Sequence, residues 1–258
     1  MEINPNLLRR KVLDMVYNKK SGHIGGSFSL AELISLLYSE YDLASENRKD
    51  RLVLSKAHAV PILYAALNVL GKITDEELKT FREINSRLQG HCDKNRLSLL
   101  DATAGSLGQG LSIAIGLSLG KSLKKEVGDI FCVLGDGELN EGGVWEALMY
   151  YPKTILTNLV CIIDWNKCQS EDYVKNIIPM YDNLEDRISS FGWNCRTIDG
   201  HNVNAIKTEL SLERTMPLCL ILDTVKGKGV SFMENDPSWH SRVPTEDEYQ
   251  RAKKELSV

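Results

Sequence analysis

Two short apolar runs, at 130–134 and 159–163, flank a stretch in which one side of the predicted helix carries Val144, Trp145, Leu148 and Met149. The runs are short enough for buried strands, and the stretch between them repeats with the period of an α-helix. Strand, helix and strand in this order form a βαβ unit of a parallel sheet. The loops that follow the two strands should therefore share the carboxyl edge of one sheet, where open parallel sheets bind ligands.

The rest of the chain continues this alternation of strands and helices. Further strands are expected at 193–198 and 218–223, and a short one is expected in the run RLVLSKAHAVPILYAAL, before a loop that holds His58. Further helices are expected at 6–18, 29–38, 75–84, 104–123, 183–191 and 203–212, after Pro61, and after Thr245. Capping-box pairs begin three of them, namely Ser29–Glu32, Thr74–Glu77 and Thr245–Glu248. The pattern predicts an α/β fold of a single domain over 1–258, with a mostly parallel sheet flanked by helices on both faces.

Two other segments have a distinctive composition. The stretch 104–123 begins with glycines and becomes a helix of apolar and small residues. We expect such a helix to be buried almost all round, packed against the sheet. The segment 87–101 has little periodicity, so we expect it to form a loop.

Composition excludes some classes of function. A net charge of -4 argues against a nucleic-acid-binding protein, which needs clustered Lys and Arg. No apolar run approaches the ~20 residues that a membrane span requires, and the N-terminus does not resemble a signal peptide. The six cysteines show neither a CxxC pair nor a metal-binding spacing. We therefore expect free thiols in a reducing cytoplasm, with strand cysteines acting as small hydrophobes.

Oxygen ligands for a hard cation follow the two central strands. Asp136 offers a carboxylate after the first strand, and Asn166 offers an amide oxygen after the second. A backbone carbonyl just after Asn166 would add a third oxygen. Magnesium takes about six oxygens and commonly combines one or two protein groups with phosphates. Gly135 and Gly137 leave room for an anion beside the backbone, so the stretch predicts a site for Mg²⁺ and a phosphorylated ligand.

A series of short motifs extends this pattern along nearly the whole chain. In order they read SGHIGGS, SKAHA, QGHCD, AGSLGQG, GDGELNEG, IIDWNK and KGKGVSF…WHS. Together they resemble the amino-terminal, diphosphate-binding domain of transketolase. The resemblance implies thiamine diphosphate with Mg²⁺ (or Ca²⁺ or Mn²⁺ in its place) and transfer of a two-carbon ketol unit from a ketose to an aldose. It implies Asp136, Asn166 and the carbonyl of Cys168 as the metal ligands.

The same resemblance assigns roles to other residues. It implies that His23 and His91 reach the substrate, that His58 and His240 contact the diphosphate, and that Glu141 lies at a subunit contact. His23, His91, His240 and Glu141 would form the catalytic group. The expected cofactor-binding residues are His58, Gly105, Ser106, Leu107, Gly137, Glu138, Asn166 and His240. Three features depart from the family: Ile24 for a usual proline, Ala57 for a frequent glycine, and the segment KCQSED after Asn166.

Transketolases also have a pyrimidine-type domain and a carboxyl-terminal domain. The resemblance therefore implies that this chain is one half of a split enzyme, completed by a carboxyl-terminal subunit, as an α2β2 assembly acting on sugars. Two alternatives stay open. One is the cofactor-binding half of a 2-oxoacid decarboxylase or deoxyxylulose phosphate synthase, although SGHIGG and QGHCD favour the ketose-transferring branch. The other is a non-catalytic structural relative.

Overall fold

A parallel sheet of five strands organises the chain, and the computed structural model describes residues 2–170, 172–178 and 182–257. The strands are β1 (Arg51–Leu54), β2 (Ile130–Gly135), β3 (Leu159–Trp165), β4 (Cys168–Gln169), β5 (Asp172–Tyr173), β6 (Asn194–Asp199) and β7 (Leu218–Asp223). The main sheet has the order β1-β2-β3-β7-β6, and β4 pairs with β5 in a separate antiparallel ribbon. Gly135 is level with Asp164, and Trp165 with Asp223, so three central strands end side by side.

Helices cover both faces of this sheet, as the sequence predicts. They are α1 (Pro5–Lys19), α2 (Gly25–Phe28), α3 (Ala31–Glu40), α4 (Pro61–Val69), α5 (Asp75–Leu78), α6 (Gly110–Lys124), α7 (Gly142–Tyr150), α8 (Val174–Ile177), α9 (Leu184–Ser189), α10 (Val203–Ser211) and α11 (Glu246–Glu255). Successive strand residues point to opposite faces: Phe131 and Val133 join the apolar cluster with α1, α3 and α4, whereas Cys132 and Leu134 join the cluster with α6 and α7. The predicted α/β fold class is confirmed.

Four cysteines form a row across the middle of the sheet. Cys132, Cys161, Cys219 and Cys195 lie in register on β2, β3, β7 and β6, and all are buried. All six cysteines of the chain are free, as expected. Burial raises the pKa of the Cys132 thiol well above its ordinary value, which keeps it protonated and unreactive.

The capping predictions have mixed outcomes. Thr245 and Glu248 form the expected capping box at α11. The box predicted at Ser29 and Glu32 is wrong, because both side chains have distant partners instead. Ser29 donates to Asp164, and Glu32 forms a buried ion pair with Arg9 at 2.6 Å. These tertiary contacts outweigh the local capping preference.

The helix predicted at 104–123 begins later and is less buried than expected. It starts at Gly110, and the preceding residues are irregular. An exposed strip, here called the α6 outer face, comprises Ser112, Ile113, Gly116 and Leu123. Met149 on the neighbouring α7 is also exposed, and not buried as the periodicity suggests. The chain alone therefore leaves part of this helical layer uncovered.

The helix predicted at 75–84 is also shorter in the structure. Thr74 accepts a hydrogen bond from the Glu77 N–H at 3.1 Å, yet α5 ends at Leu78. The segment 87–101 has no helix or strand, as predicted. Within the described ranges, no helix is both long enough and apolar enough to cross a membrane.

Substitution by alanine should have opposite effects on the stability of the chain at two glycines of α6. A Cβ on Gly110 would lie 2.2 Å from Ser55 Oγ and 2.8 Å from Ser55 Cα, whereas a Cβ on Gly116 would meet nothing within 4 Å. Gly110→Ala should therefore destabilise the chain by about 1–3 kcal/mol through overpacking. Gly116→Ala should stabilise it by about 0.5–1 kcal/mol, because alanine is the better helix former. Urea denaturation of the two variants measures both effects, and a Gly110→Ala chain as stable as the wild type would contradict this packing.

Candidate active site

The carboxyl ends of the sheet strands open into one cleft. The GDG turn follows β2, Asn166 follows β3, Lys56 follows β1, and Lys226 follows β7. The cleft is lined by Gly26, Lys56, His58, Leu107, Gly135, Asp136, Gly137, Glu138, Asn166, Cys168, Gln169, Ser170, Lys226 and His240. The structure thus brings together residues that are far apart in the sequence.

The three expected metal ligands are adjacent. Asp136 Oδ2 and Asn166 Oδ1 each accept a hydrogen bond from the Cys168 backbone N–H, both at 3.2 Å. The second oxygen of Asp136 accepts from the Gly137 N–H at 2.8 Å. Two side-chain oxygens therefore converge beside the backbone of Cys168, a donor set suited to a hard cation.

The electrostatics of Asp136 also suit a cation. Burial, and secondarily the charge of Asp164, raises the pKa of Asp136 to about 7. Asp136 forms no salt bridge with any residue in the described ranges. A bound Mg²⁺ would offset the cost of burying this carboxylate. The described residues contain no group of three or more His, Cys, Asp or Glu side chains that could hold a metal, so an ion here would need further oxygens from a ligand.

Two buried lysines, for which the sequence predicted no role, border the same cleft; Lys56 lies in the motif SKAHA and Lys226 in KGKGVSF. Lys56 Nζ lies 2.5 Å from Asp164 Oδ2 and donates to the Gly26 carbonyl at 3.1 Å. Lys226 Nζ donates to the Ser170 carbonyl at 3.1 Å and lies 3.5 Å from His240 Nδ1. Burial lowers the pKa of Lys226 to about 8, and an anion in the cleft would favour its charged form. Two features of the sequence could have indicated these lysines: each closely follows a strand, and each lies within one of the quoted motifs.

The four loop histidines form one cluster. The ring of His23 lies 5.2 Å from that of His58, 5.9 Å from that of His91 and 5.1 Å from that of His240, between centroids. His201 lies elsewhere: its Nδ1 is 2.9 Å from Glu32, and its Nε2 accepts from the Val225 N–H. The histidines expected to reach cofactor and substrate are therefore the ones that meet.

These histidines are neutral at pH 7. The pKa of His240 is lowered to about 3 and that of His23 to about 4, chiefly by burial and secondarily by neighbouring ionisable groups. Burial, then the charge of Lys56, holds the pKa of His58 well below its ordinary value. A neutral imidazole donates through one nitrogen and accepts through the other. His23 Nδ1 is buried without a hydrogen-bond partner in the described part of the chain.

Gly105, Ser106 and Leu107 form an irregular loop beside the cluster. A Cβ on Gly105 would lie 3.6 Å from the His91 ring, and Leu107 lines the cleft, whereas Ser106 is exposed. Glu138 holds this loop in place. Its carboxylate accepts from the Gly108 N–H at 2.8 Å, the Gly135 N–H at 3.2 Å and the Ser55 hydroxyl. Its hydrogen bonds thus join three segments of the cleft wall.

Gly137 and Glu141 occupy different positions relative to the cleft. A Cβ on Gly137 would lie 2.5 Å from Gln169 Cβ, so only glycine fits there without a shift. Glu141 is exposed at the start of α7 and packs near Gly108, outside the cleft lining. Gln169 Nε2 is buried and has no hydrogen-bond partner among the described residues.

The sequence departures also differ in position. Ile24 and Ala57 are fully buried and do not line the cleft. Within KCQSED, Cys168, Gln169 and Ser170 line it, whereas Glu171 lies outside the described residues. Only the last departure therefore changes the wall that a ligand would meet.

Residues 3–258 match the family described as "Transketolase, thiamine diphosphate binding domain". The chain belongs to the transketolase family. It is 37% identical over 259 residues to the 6-deoxy-6-sulfo-D-fructose transketolase subunit SqwG of Clostridium sp. (strain MSTE9), covering 97% of this chain and 94% of that one. It is 34% identical to an apulose-4-phosphate transketolase subunit of Phocaeicola vulgatus, covering 100% and 94%.

Longer transketolases match over their corresponding part. Human transketolase is 36% identical over 244 residues, which span 92% of this chain but 39% of that protein. The crystal structure of transketolase from Campylobacter jejuni superposes with a TM-score of 0.90 at 30% identity, over 98% of this chain and 42% of that one. The chain thus spans about two fifths of these transketolases and nearly all of the relatives named as subunits.

These likenesses confirm the expected family, its amino-terminal diphosphate-binding part and the transferase class. They favour transketolase over the decarboxylase and deoxyxylulose phosphate synthase alternatives. The roles of individual residues, the metal and the partner stay predictions.

Replacing His240 with glutamine tests the electrostatics of the histidine cluster. The unfolded chain takes up a proton at this histidine near pH 6.5, and the folded chain only near pH 3. The contribution of His240 to the free energy of unfolding is therefore complete above about pH 6.5 and decreases as the pH falls below that value. His240→Gln should lose less stability than the wild type between about pH 7 and pH 5, by at most about 1.4 kcal/mol per pH unit.

Urea denaturation at the two pH values measures this difference. Gln169→Ala is the matched control, because Gln169 lines the same cleft but does not titrate. It should keep the wild-type pH dependence. If His240→Gln kept the pH dependence of the wild type, the pKa of His240 would not be lowered by folding, which would contradict this account of the cluster.

Proposed function

We propose that this chain is the amino-terminal subunit of a transketolase that depends on thiamine diphosphate and Mg²⁺ and transfers a two-carbon ketol unit from a ketose to an aldose. The observation that carries the proposal is the convergence of Asp136 and Asn166 oxygens beside Cys168, in a cleft that two buried lysines line. The cluster of four neutral histidines adjoins this cleft, and two of its members, His58 and His240, line it. The family match points to the same cofactor.

The metal and the diphosphate would be held at the strand ends. Asp136, Asn166 and the Cys168 carbonyl would bind Mg²⁺, and diphosphate oxygens would complete its shell. Lys226, His58 and the Gly137 N–H supply positive charge and donors for the diphosphate. Thiamine diphosphate, when bound, supplies a carbanion that can accept and release a ketol unit.

The histidines would act on the sugar. His23 and His91 are neutral at pH 7, so each can donate to one substrate oxygen and accept from a hydroxyl. His240 lies between His23 and Lys226, and it would bridge the sugar and the diphosphate ends of the cleft. Together they would orient the substrate and move protons between its oxygens.

Completion by a carboxyl-terminal subunit, in an α2β2 assembly, is part of this proposal. Support comes from the α6 outer face, which is partly apolar and exposed, and from Glu141, exposed beside the cleft loop. Two relatives of nearly equal length are themselves named as transketolase subunits. The partner would supply the remaining cofactor and sugar contacts.

A ketose that carries a charged group is the substrate class that we favour. The relatives are named for 6-deoxy-6-sulfo-D-fructose and apulose-4-phosphate, two sugars with an anionic substituent. This preference suits a specialised pathway of carbohydrate metabolism.

Calorimetric titration with thiamine diphosphate and Mg²⁺ tests the proposal. The wild-type chain should bind weakly alone and tightly with its partner subunit, because the cofactor site would be shared. Asp136→Asn keeps the size of the side chain but removes its charge. It should weaken binding by at least about 100-fold, beyond the 10–100-fold typical of groups that only support a ligand.

Asp199→Asn provides the matched control. Asp199 also ends a strand of the same sheet, but it is exposed and lies outside the cleft. Its variant should bind like the wild type. Absence of binding in the wild type, alone and with the partner, would leave a non-catalytic relative of transketolase.

A further inference from the structure

A buried aspartate lies directly beneath the predicted metal ligands. Asp164 is 0% exposed near the end of β3, two residues before Asn166. It lies within the motif IIDWNK, but none of the roles given above uses it. A carboxylate so deeply buried needs several donors, and their identity indicates what it does.

Four donors from four segments meet at Asp164. Its Oδ2 accepts from Ser29 Oγ at 2.6 Å, from Lys56 Nζ at 2.5 Å and from Asn166 Nδ2 at 3.1 Å. Its Oδ1 accepts from Thr224 Oγ1 at 2.5 Å. Only one of these contacts, that to Asn166, involves a predicted ligand of the metal.

The contact to Asn166 fixes which way its amide faces. An ionised carboxylate can only accept hydrogen bonds, so it selects the NH₂ end of the amide. With Nδ2 held by Asp164, Asn166 Oδ1 must face the other side, where it lies 3.2 Å from the Cys168 N–H that Asp136 also contacts. A flipped amide would present two hydrogens to a cation.

We propose that Asp164 is a positioning residue that orients the Asn166 amide oxygen toward the bound metal ion. This inference rests on the proposed function. Outer-shell partners of metal ligands commonly contribute 10–100-fold to metal affinity. The same carboxylate also neutralises Lys56, and this second role is structural, because loss of one partner leaves a buried charge uncompensated.

Two variants distinguish the orientation of Asn166 from the compensation of the Lys56 charge. Asp164→Ala removes both the acceptor for Asn166 and the charge opposite Lys56. Asp164→Asn removes the charge but keeps one oxygen that can accept from the Asn166 amide. Both variants should lose stability, but only Asp164→Ala should lose much metal affinity.

Titration with Mn²⁺ at saturating thiamine diphosphate, in the assembly that binds the cofactor, measures the affinity. The dissociation constant of Mn²⁺ should rise about 10–100-fold in Asp164→Ala and less than about threefold in Asp164→Asn. Thr224→Val is the control, because Thr224 contacts the other oxygen of Asp164. It should also change the constant by less than about threefold. Equal affinities in Asp164→Ala and the wild type would overturn the proposal, as would equal losses in the Ala and Asn variants.

A second comparison tests the proposal if Asp164→Ala does not fold. Lys56→Met/Asp164→Asn and Lys56→Met/Asp164→Ala each remove both charges of the pair, so neither leaves a buried charge unpaired. The variant with alanine should bind Mn²⁺ about 10–100-fold more weakly than the variant with asparagine, and equal binding would overturn the proposal. Failure of the wild type to bind Mn²⁺ with thiamine diphosphate would instead refute the proposed function itself.

Discussion

The parallel sheet imposes the constraint on which the site depends: strands that run the same way end at the same edge. Gly135, Asp164 and Leu222 are level across β2, β3 and β7, so the residues that follow them are neighbours in space. This alignment brings Asp136, Asn166 and Lys226 together without any local sequence relation. The loops of the amino-terminal helices then add His23 and His58 above that edge.

A second constraint is the balance of buried charge at this edge. Asp136 and Asp164 lie among Lys56 and Lys226, all nearly inaccessible to water. Asp164 is compensated by Lys56, whereas Asp136 has a raised pKa and Lys226 a lowered one. Such groups are costly in the chain alone. A cation beside Asp136 and an anion beside Lys226 would relieve both costs, which is what a metal diphosphate provides.

Local sequence patterns predicted the central strands and the fold class. Side-chain partners and burial were not predicted where they depend on contacts between distant parts of the chain. Apolar runs gave β2, β3 and β7 because buried parallel strands are continuously apolar. Ser29 and Glu32 did not cap a helix, because partners distant in the sequence bind them. Lys56 and Asp164 lie in the motifs SKAHA and IIDWNK, but their buried ion pair was not predicted, because a charged residue in a sequence gives no sign of its distant partner. The exposure of α6 depends on what covers it in an assembly, which sequence periodicity does not encode.

A crystal structure of the chain with its partner subunit, thiamine diphosphate and Mn²⁺ would test the account most directly. Anomalous scattering locates Mn²⁺ independently of the protein density. The account predicts one Mn²⁺ in contact with Asp136, with the Asn166 amide oxygen and with the Cys168 carbonyl, bridging them to the diphosphate. Cofactor bound without Mn²⁺ at these three oxygens, or Mn²⁺ bound elsewhere, would contradict it.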